Sequence, residues 1–132
     1  MYQGNPFLDP LNWFGFVYQI ENVESGRRYI GEKQFVSKRT KPPLKGQKRK
    51  RRTTVESDWK SYYGSCDELL AEIAQHGPER FERTILKVCS TKRELTYGEL
   101  EAQVKADVLT AMLPDGTPAY YNSNIAGRFF RH

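Results

Sequence analysis

The chain has 132 residues, 38% hydrophobic and 28% charged, with a formal net charge of +5. That length fits one domain with a modest core. No run is long and apolar enough for a signal peptide or a membrane helix, which points to a soluble, intracellular, cytoplasmic protein.

The charge is unevenly spread. Nine of the 21 basic residues lie between Lys38 and Arg52, where no acidic residue occurs, leaving 12 against 16 acidic residues elsewhere. They are Lys38, Arg39, Lys41, Lys45, Lys48, Arg49, Lys50, Arg51 and Arg52. A local patch of this kind suits a polyanion. Cys66 and Cys89 have no CxxC spacing, which argues against zinc and for two buried, reduced thiols.

Residues 1–13 hold two prolines and no clear period, so they read as an irregular arm that packs through Phe7, Leu8 and Trp13. Phe16 to Ile20 and Arg28 to Phe35 are rich in β-branched and aromatic residues, with turn chemistry at Glu24-Ser25-Gly26 between them. They predict a β-hairpin. Residues 38–56 hold Pro42, Pro43, Gly46 and the charge run, and predict a basic, mobile loop.

Ser65 with Glu68 fits a capping box, and Leu69, Leu70, Ile73 and Ala74 give a helical stripe that Gly77 closes. Phe81 to Cys89 predicts a third strand. Thr91 with Glu94 is a second capping box, opening a helix whose Leu100, Val104 and Val108 are four apart. "LPDGTP" ends it, and "AYYNSNIAGRFF" is a tail of aromatic and small polar residues. The order strand, strand, helix, strand, helix, tail predicts an α+β fold, a three-stranded antiparallel sheet with helices packed against it.

Three features could carry chemistry. Tyr18 and Tyr29 lie in the hairpin, where pairing can bring both hydroxyls to one end of the sheet. Glu101, with Tyr97, Val104 and Val108 as its helical neighbours, borders the apolar stripe, whereas Glu94 and Glu99 read as surface charges. One carboxylate with water and phosphate oxygens suits magnesium. The basic run lacks interleaved aromatics, so it would grip phosphates without stacking bases.

In this order the features resemble a GIY-YIG nuclease domain, closest in pattern to phage Seg-like and homing-type members. "GFVYQI" matches the first motif through Gly15 and Tyr18, with two residues between them where the family name has one. "YIG", Tyr29 to Gly31, matches outright. "YYGSCDELLAEIAQHGPERFERTIL" resembles the following helix-to-strand region, "LEAQV" the glutamate helix and "YYN" the late asparagine. The resemblance runs over residues 14–130 and implies one nuclease domain at 14–132 behind the arm.

That resemblance implies a metal-dependent DNA endonuclease that hydrolyses phosphodiesters by tyrosine-assisted attack of water. Tyr18 and Tyr29 would sit at the active site. Glu101 would hold one Mg2+ or Mn2+, and Asn122 would order the site. The family's helical arginine falls at Arg39, ten residues after Tyr29, in a stretch that two following prolines keep from being an ordinary helix. Either Arg39 or Lys33 would supply the charge facing the phosphate. A DNA-binding module without catalysis, on the same scaffold, is the alternative reading. A dimer would suit double-strand cleavage.

Overall fold

The computed structural model describes residues 2–3, 13–41, 45–46 and 51–131; Phe7 and Leu8 of the arm, and Lys48, Arg49 and Lys50 of the basic run, lie outside them. The fold is α+β. Strands β2 (Gly15–Asn22), β3 (Arg28–Gln34) and β6 (Phe81–Cys89) form the antiparallel sheet, with β2 paired on both sides. A fourth, two-residue strand, β1 (Tyr2–Gln3), lies parallel to β6 on its far edge. The order is β1-β6-β2-β3. The arm expected to be irregular therefore contributes a strand, although two residues leave almost no sequence period to detect.

Both faces of the sheet are covered. Because β2 is the inner strand, all of Gly15 to Tyr18 is buried, where a one-sided strand would alternate. One face carries Phe16, Tyr18, Ile20, Phe35, Trp59, Leu69, Phe81 and Tyr121 against helix α1 (Asp67–His76) and the segment before it. The other packs Val17, Ile30, Cys89 and Leu95 with Val108, Tyr120 and Ile125 against helix α2 (Lys92–Lys105). Gly15 makes this second layer possible. A Cβ there would lie 2.5 Å from the Lys33 carbonyl oxygen and 2.7 Å from Leu95 Cδ2.

The basic segment is not the loop its composition suggests. Strand β4 (Val36–Lys41) pairs with β5 (Arg51–Glu56) as an antiparallel ribbon from Val36↔Glu56 to Lys41↔Arg51. The β-branched residues Val36, Thr40, Thr53, Thr54 and Val55 favour extended backbone, and β4 stops before Pro42, which has no N–H to donate. The ribbon is tied at its base. Ser57 donates its amide to the Phe35 carbonyl at 2.8 Å and its hydroxyl to the Gln34 carbonyl.

Two helix details also differ from expectation. Cys66, not Ser65, precedes α1, and no side chain caps it, so the Ser65–Glu68 box does not form. At α2 the capping does form: Thr91 Oγ1 accepts from the Glu94 amide at 3.1 Å, and the Glu94 carboxylate accepts from the Ser90 hydroxyl at 3.0 Å. The inward residues of α2 are Leu95, Gly98, Ala102 and Gln103, whereas Tyr97, Leu100 and Val104 are exposed. Of the apolar stripe read from the sequence, Leu100 and Val104 thus lie on the outer face of the helix, and Val108, beyond its end, is buried. Gly98 brings the other face close, where an added Cβ would touch Val17 at 3.3 Å.

Candidate active site

A cleft of about 560 Å3 opens where the β3 edge, the start of α1, α2 and the C-terminal tail converge. Tyr29, Ser65, Glu99, Gln103, Asn122 and Asn124 are among its lining residues. Each arrives for a local reason. The tail runs parallel to β3, with the Arg28 amide donating to the Ala119 carbonyl at 2.9 Å and the Tyr121 amide to the Arg28 carbonyl at 2.7 Å. Asn122 then continues the pairing with its side chain. Its Oδ1 accepts from the Ile30 amide at 3.0 Å, and its Nδ2 donates to the Ile30 carbonyl at 2.8 Å. Gln103 Nε2 donates to the same carbonyl at 3.0 Å. Ile30 separates Tyr29 from Gly31, so these three bonds fix the backbone that carries Tyr29.

The two tyrosines lie with ring centroids 6.2 Å apart but in different surroundings. Tyr18 is 1% exposed. Burial raises its pKa far above the ordinary phenol value, with further pressure from Tyr29, Tyr62 and Glu99 and an opposing effect from Arg83. Tyr29 is half-buried and reaches the cleft. Burial raises its pKa as well, against a hydrogen bond with Ser65 that lowers it. Both phenols therefore hold their protons at neutral pH, and Tyr29 is the one that faces the cleft.

Gly31 and Gly64 leave the room for this pair. A Cβ on Gly31 would sit 2.6 Å from Tyr18 Oη and 2.9 Å from Tyr29 Cε2. Gly64, at φ +93°, would bring a Cβ to 3.1 Å from the same two side chains. The glycine of "YIG" is thus a packing requirement of both tyrosines.

Three carboxylates line the cleft, the exposed Asp67 and Glu68 at the start of α1 and the half-buried Glu99 of α2; Glu101 is not among them. Residues two apart on a helix point about 200° from one another. Glu101 instead pairs with Lys105, at 3.7 Å on the helix surface. Glu99 is half-buried on the inward side, and no described cation pairs with it. Its pKa is pushed up to about 7, first by burial and then by the charge of Glu32, against a backbone hydrogen bond from Glu32. The Oε2 of Glu32 is enclosed without a hydrogen-bond partner among the described residues, and burial raises the Glu32 pKa too. The exposed stripe drew the sequence reading to Glu101, outside the cleft. The pattern Leu95, Gly98, Ala102 marks the inward face and would have led to Glu99 and Gln103 beside it.

Lys33 stands two positions beyond Gly31, on the tyrosine face of β3. It forms an ion pair with Asp58 at 2.8 Å and lies 4.1 Å from the centre of the Tyr62 ring, outside the cleft lining. Backbone pairing sets Arg39 opposite Thr53, and its side chain lies outside the described residues. The same holds for Lys38, Lys41, Arg51 and Arg52; Lys45 is exposed.

Arg83 has a role that composition did not suggest. It is 1% exposed among aromatic side chains and donates to the carbonyls of Trp59, Lys60 and Tyr62. A guanidinium in apolar surroundings is tolerated only when its donors are satisfied. Here it fixes the segment that leads to Gly64 and Ser65. Its signal was parity: Arg83 shares the face of Phe81 and Ile85, both of which pack in the core.

Among the described residues no helix is long and apolar enough to cross a membrane, and no cluster of three or more His, Cys, Asp or Glu could hold a metal ion. A sequence model of the family described as "Putative endonuclease segE, GIY-YIG domain" matches residues 1–125. No curated protein and no solved structure matches the chain.

Proposed function

We infer, for a chain that belongs to the SegE GIY-YIG family of endonuclease domains, that it is a metal-dependent DNA endonuclease whose active site is the cleft between Tyr29, Glu99 and Asn122. The observation that carries this reading is Glu99: a half-buried carboxylate facing a cleft, with no described cation to offset its charge. Together with the neutral oxygens of Ser65, Ser123 and Asn124 it is a donor set that fits Mg2+ or Mn2+, which take few carboxylates and keep water ligands. Glu99 thereby takes the role that the family pattern first suggested for Glu101. The bound ion would neutralise phosphate charge and stabilise the leaving oxygen.

The chain's own residues do the remaining work. Tyr29, protonated and held by Ser65, orients the attacking water by hydrogen bonding. Tyr18 is a positioning residue that backs the Tyr29 ring. Asn122 and Gln103 clamp Ile30 and keep Tyr29 in place. Lys33, or Arg39 from the ribbon, faces the phosphate and stabilises its developing charge. The ribbon, with basic residues on both paired strands, grips DNA through phosphates and lends affinity with little sequence preference.

Supercoiled plasmid incubated with Mg2+, with Mn2+ and with EDTA tests this. Relaxed or linear product with either metal, and none with EDTA, is expected. Plasmid that stays supercoiled in every metal would make the chain a DNA-binding module on the same scaffold.

A further inference from the structure

The C-terminal tail carries a small hairpin whose second strand takes no part in the proposed cleavage chemistry. Strands β7 (Asn124–Ile125) and β8 (Phe129–Phe130) pair across a tight turn. Ala126 and Gly127 both take left-handed backbone, with φ 56° and 66°. The Arg128 amide closes the turn on the Ile125 carbonyl at 3.1 Å, and Asn124 Oδ1 accepts from the Gly127 amide at 3.0 Å. A non-glycine residue in that region stores about 1 kcal/mol of strain, so the hairpin is held in shape by its contacts. One side of it, Asn124 and Ala126, lines the catalytic cleft. The other presents Phe129 and Phe130, 63% and 58% exposed.

The two phenylalanines border a second cavity of about 540 Å3, completed by Leu109, Thr110, Arg128 and Arg131. Arg131 is anchored by Nη2 on the carbonyls of Val108, Tyr120 and Asn122. Its Nη1 is enclosed and has no hydrogen-bond partner among the described residues. Aromatic faces, an apolar floor and an exposed Arg128 together suit a planar, apolar-faced group that hangs from an anion.

We propose that this cavity takes an unstacked nucleobase of the DNA, stacked on Phe129 or Phe130 beside the scissile phosphate. Arg128 meets the adjoining phosphate, and Arg131, tied to three carbonyls, holds the hairpin in place beneath the base. This rests on DNA being the substrate. It adds a contact to the bases that the basic ribbon does not supply.

The test is binding in EDTA, where no cleavage is needed. A short oligodeoxythymidylate is compared with an abasic oligomer of the same length and charge. The wild-type chain should bind the base-bearing strand at least about fivefold more tightly. The double variant Phe129→Ala/Phe130→Ala should bind the two strands alike, with its affinity for the abasic strand within about twofold of wild type. Phe129→Leu/Phe130→Leu, which keeps an apolar surface and guards against a folding defect, should also lose the preference. Equal wild-type binding to both strands would overturn the proposal, as would a preference that survives in the leucine variant. So would a dimer that dissociates in the alanine variant, since the phenylalanines would then be a protein interface. Absent plasmid cleavage would instead bear on the nuclease reading alone.

Discussion

Replacing Glu99 by Gln should remove activity and stabilise the fold at the same time. The Glu99 pKa stands at about 7 against an ordinary 4.5. A shift of one unit corresponds to about 1.36 kcal/mol, so the full difference is worth at most about 3.4 kcal/mol. Glu99 is only partly buried, and screening reduces this to about 1–2 kcal/mol. The folded state binds the Glu99 proton more tightly than the unfolded chain. Stability therefore falls as pH rises from about 4.5 through about 7, and the whole penalty is present above that. Thermal melts in EDTA would show Glu99→Gln melting roughly 3–8 °C above wild type near pH 8, and close to wild type near pH 4.5. A variant that melts lower near pH 8, or a difference that does not change with pH, would refute the assignment of Glu99 as a carboxylate held charged against its environment.

Asn122→Ala removes two hydrogen bonds to Ile30 and leaves the buried Ile30 amide without a partner, while the carbonyl keeps Gln103, so urea unfolding should show a loss of about 1–3 kcal/mol. Cleavage should also fall where the variant is still folded, because Tyr29 loses its support. Gly31→Ala places a methyl group against both tyrosines and should destabilise by about 1–3 kcal/mol. Tyr18→Phe in that background should recover part of this loss by removing the nearest atom, which a double-mutant cycle would measure. Neutralising Lys48 to Arg52 should weaken DNA binding across all sequences and reduce the slope of log affinity on log salt by up to about 0.9 for each phosphate no longer neutralised. An unchanged slope would mean that the ribbon does not touch phosphate.

The hairpin of β2 and β3, the third strand and α1 were legible because their apolar positions are local and periodic, and α2 was legible through its Thr91 cap. The candidate site was legible where short local motifs mark it, as for Tyr18, Tyr29 and Asn122, which the fold gathers within one neighbourhood. The ribbon was not legible. Its β-branched residues are interspersed with charge, and its pairing is anchored by Phe35 and Ser57, which lie outside the basic run. The place of Glu99 beside the cleft was not legible for a different reason. An amphipathic helix is read by its larger apolar residues, but α2 turns Gly98, Ala102 and Gln103 to the sheet and leaves Leu100 and Val104 in solvent. Close packing placed Gly98 and Ala102 on the inner face, and hydrophobicity alone then pointed to Glu101 on the outer one. Arg83 was hidden in the same way, since its burial depends on three carbonyls more than twenty positions away in sequence.

The most direct measurement is plasmid cleavage in Mg2+ by three proteins side by side: wild type, Glu99→Gln and Glu101→Gln. Glu101 contributes only a surface pair with Lys105, worth up to about 0.5 kcal/mol, so its variant should cut like wild type. Glu99→Gln should bind DNA and leave the plasmid supercoiled. Cleavage retained by Glu99→Gln and lost by Glu101→Gln would contradict the account and return the metal to the outer face of α2.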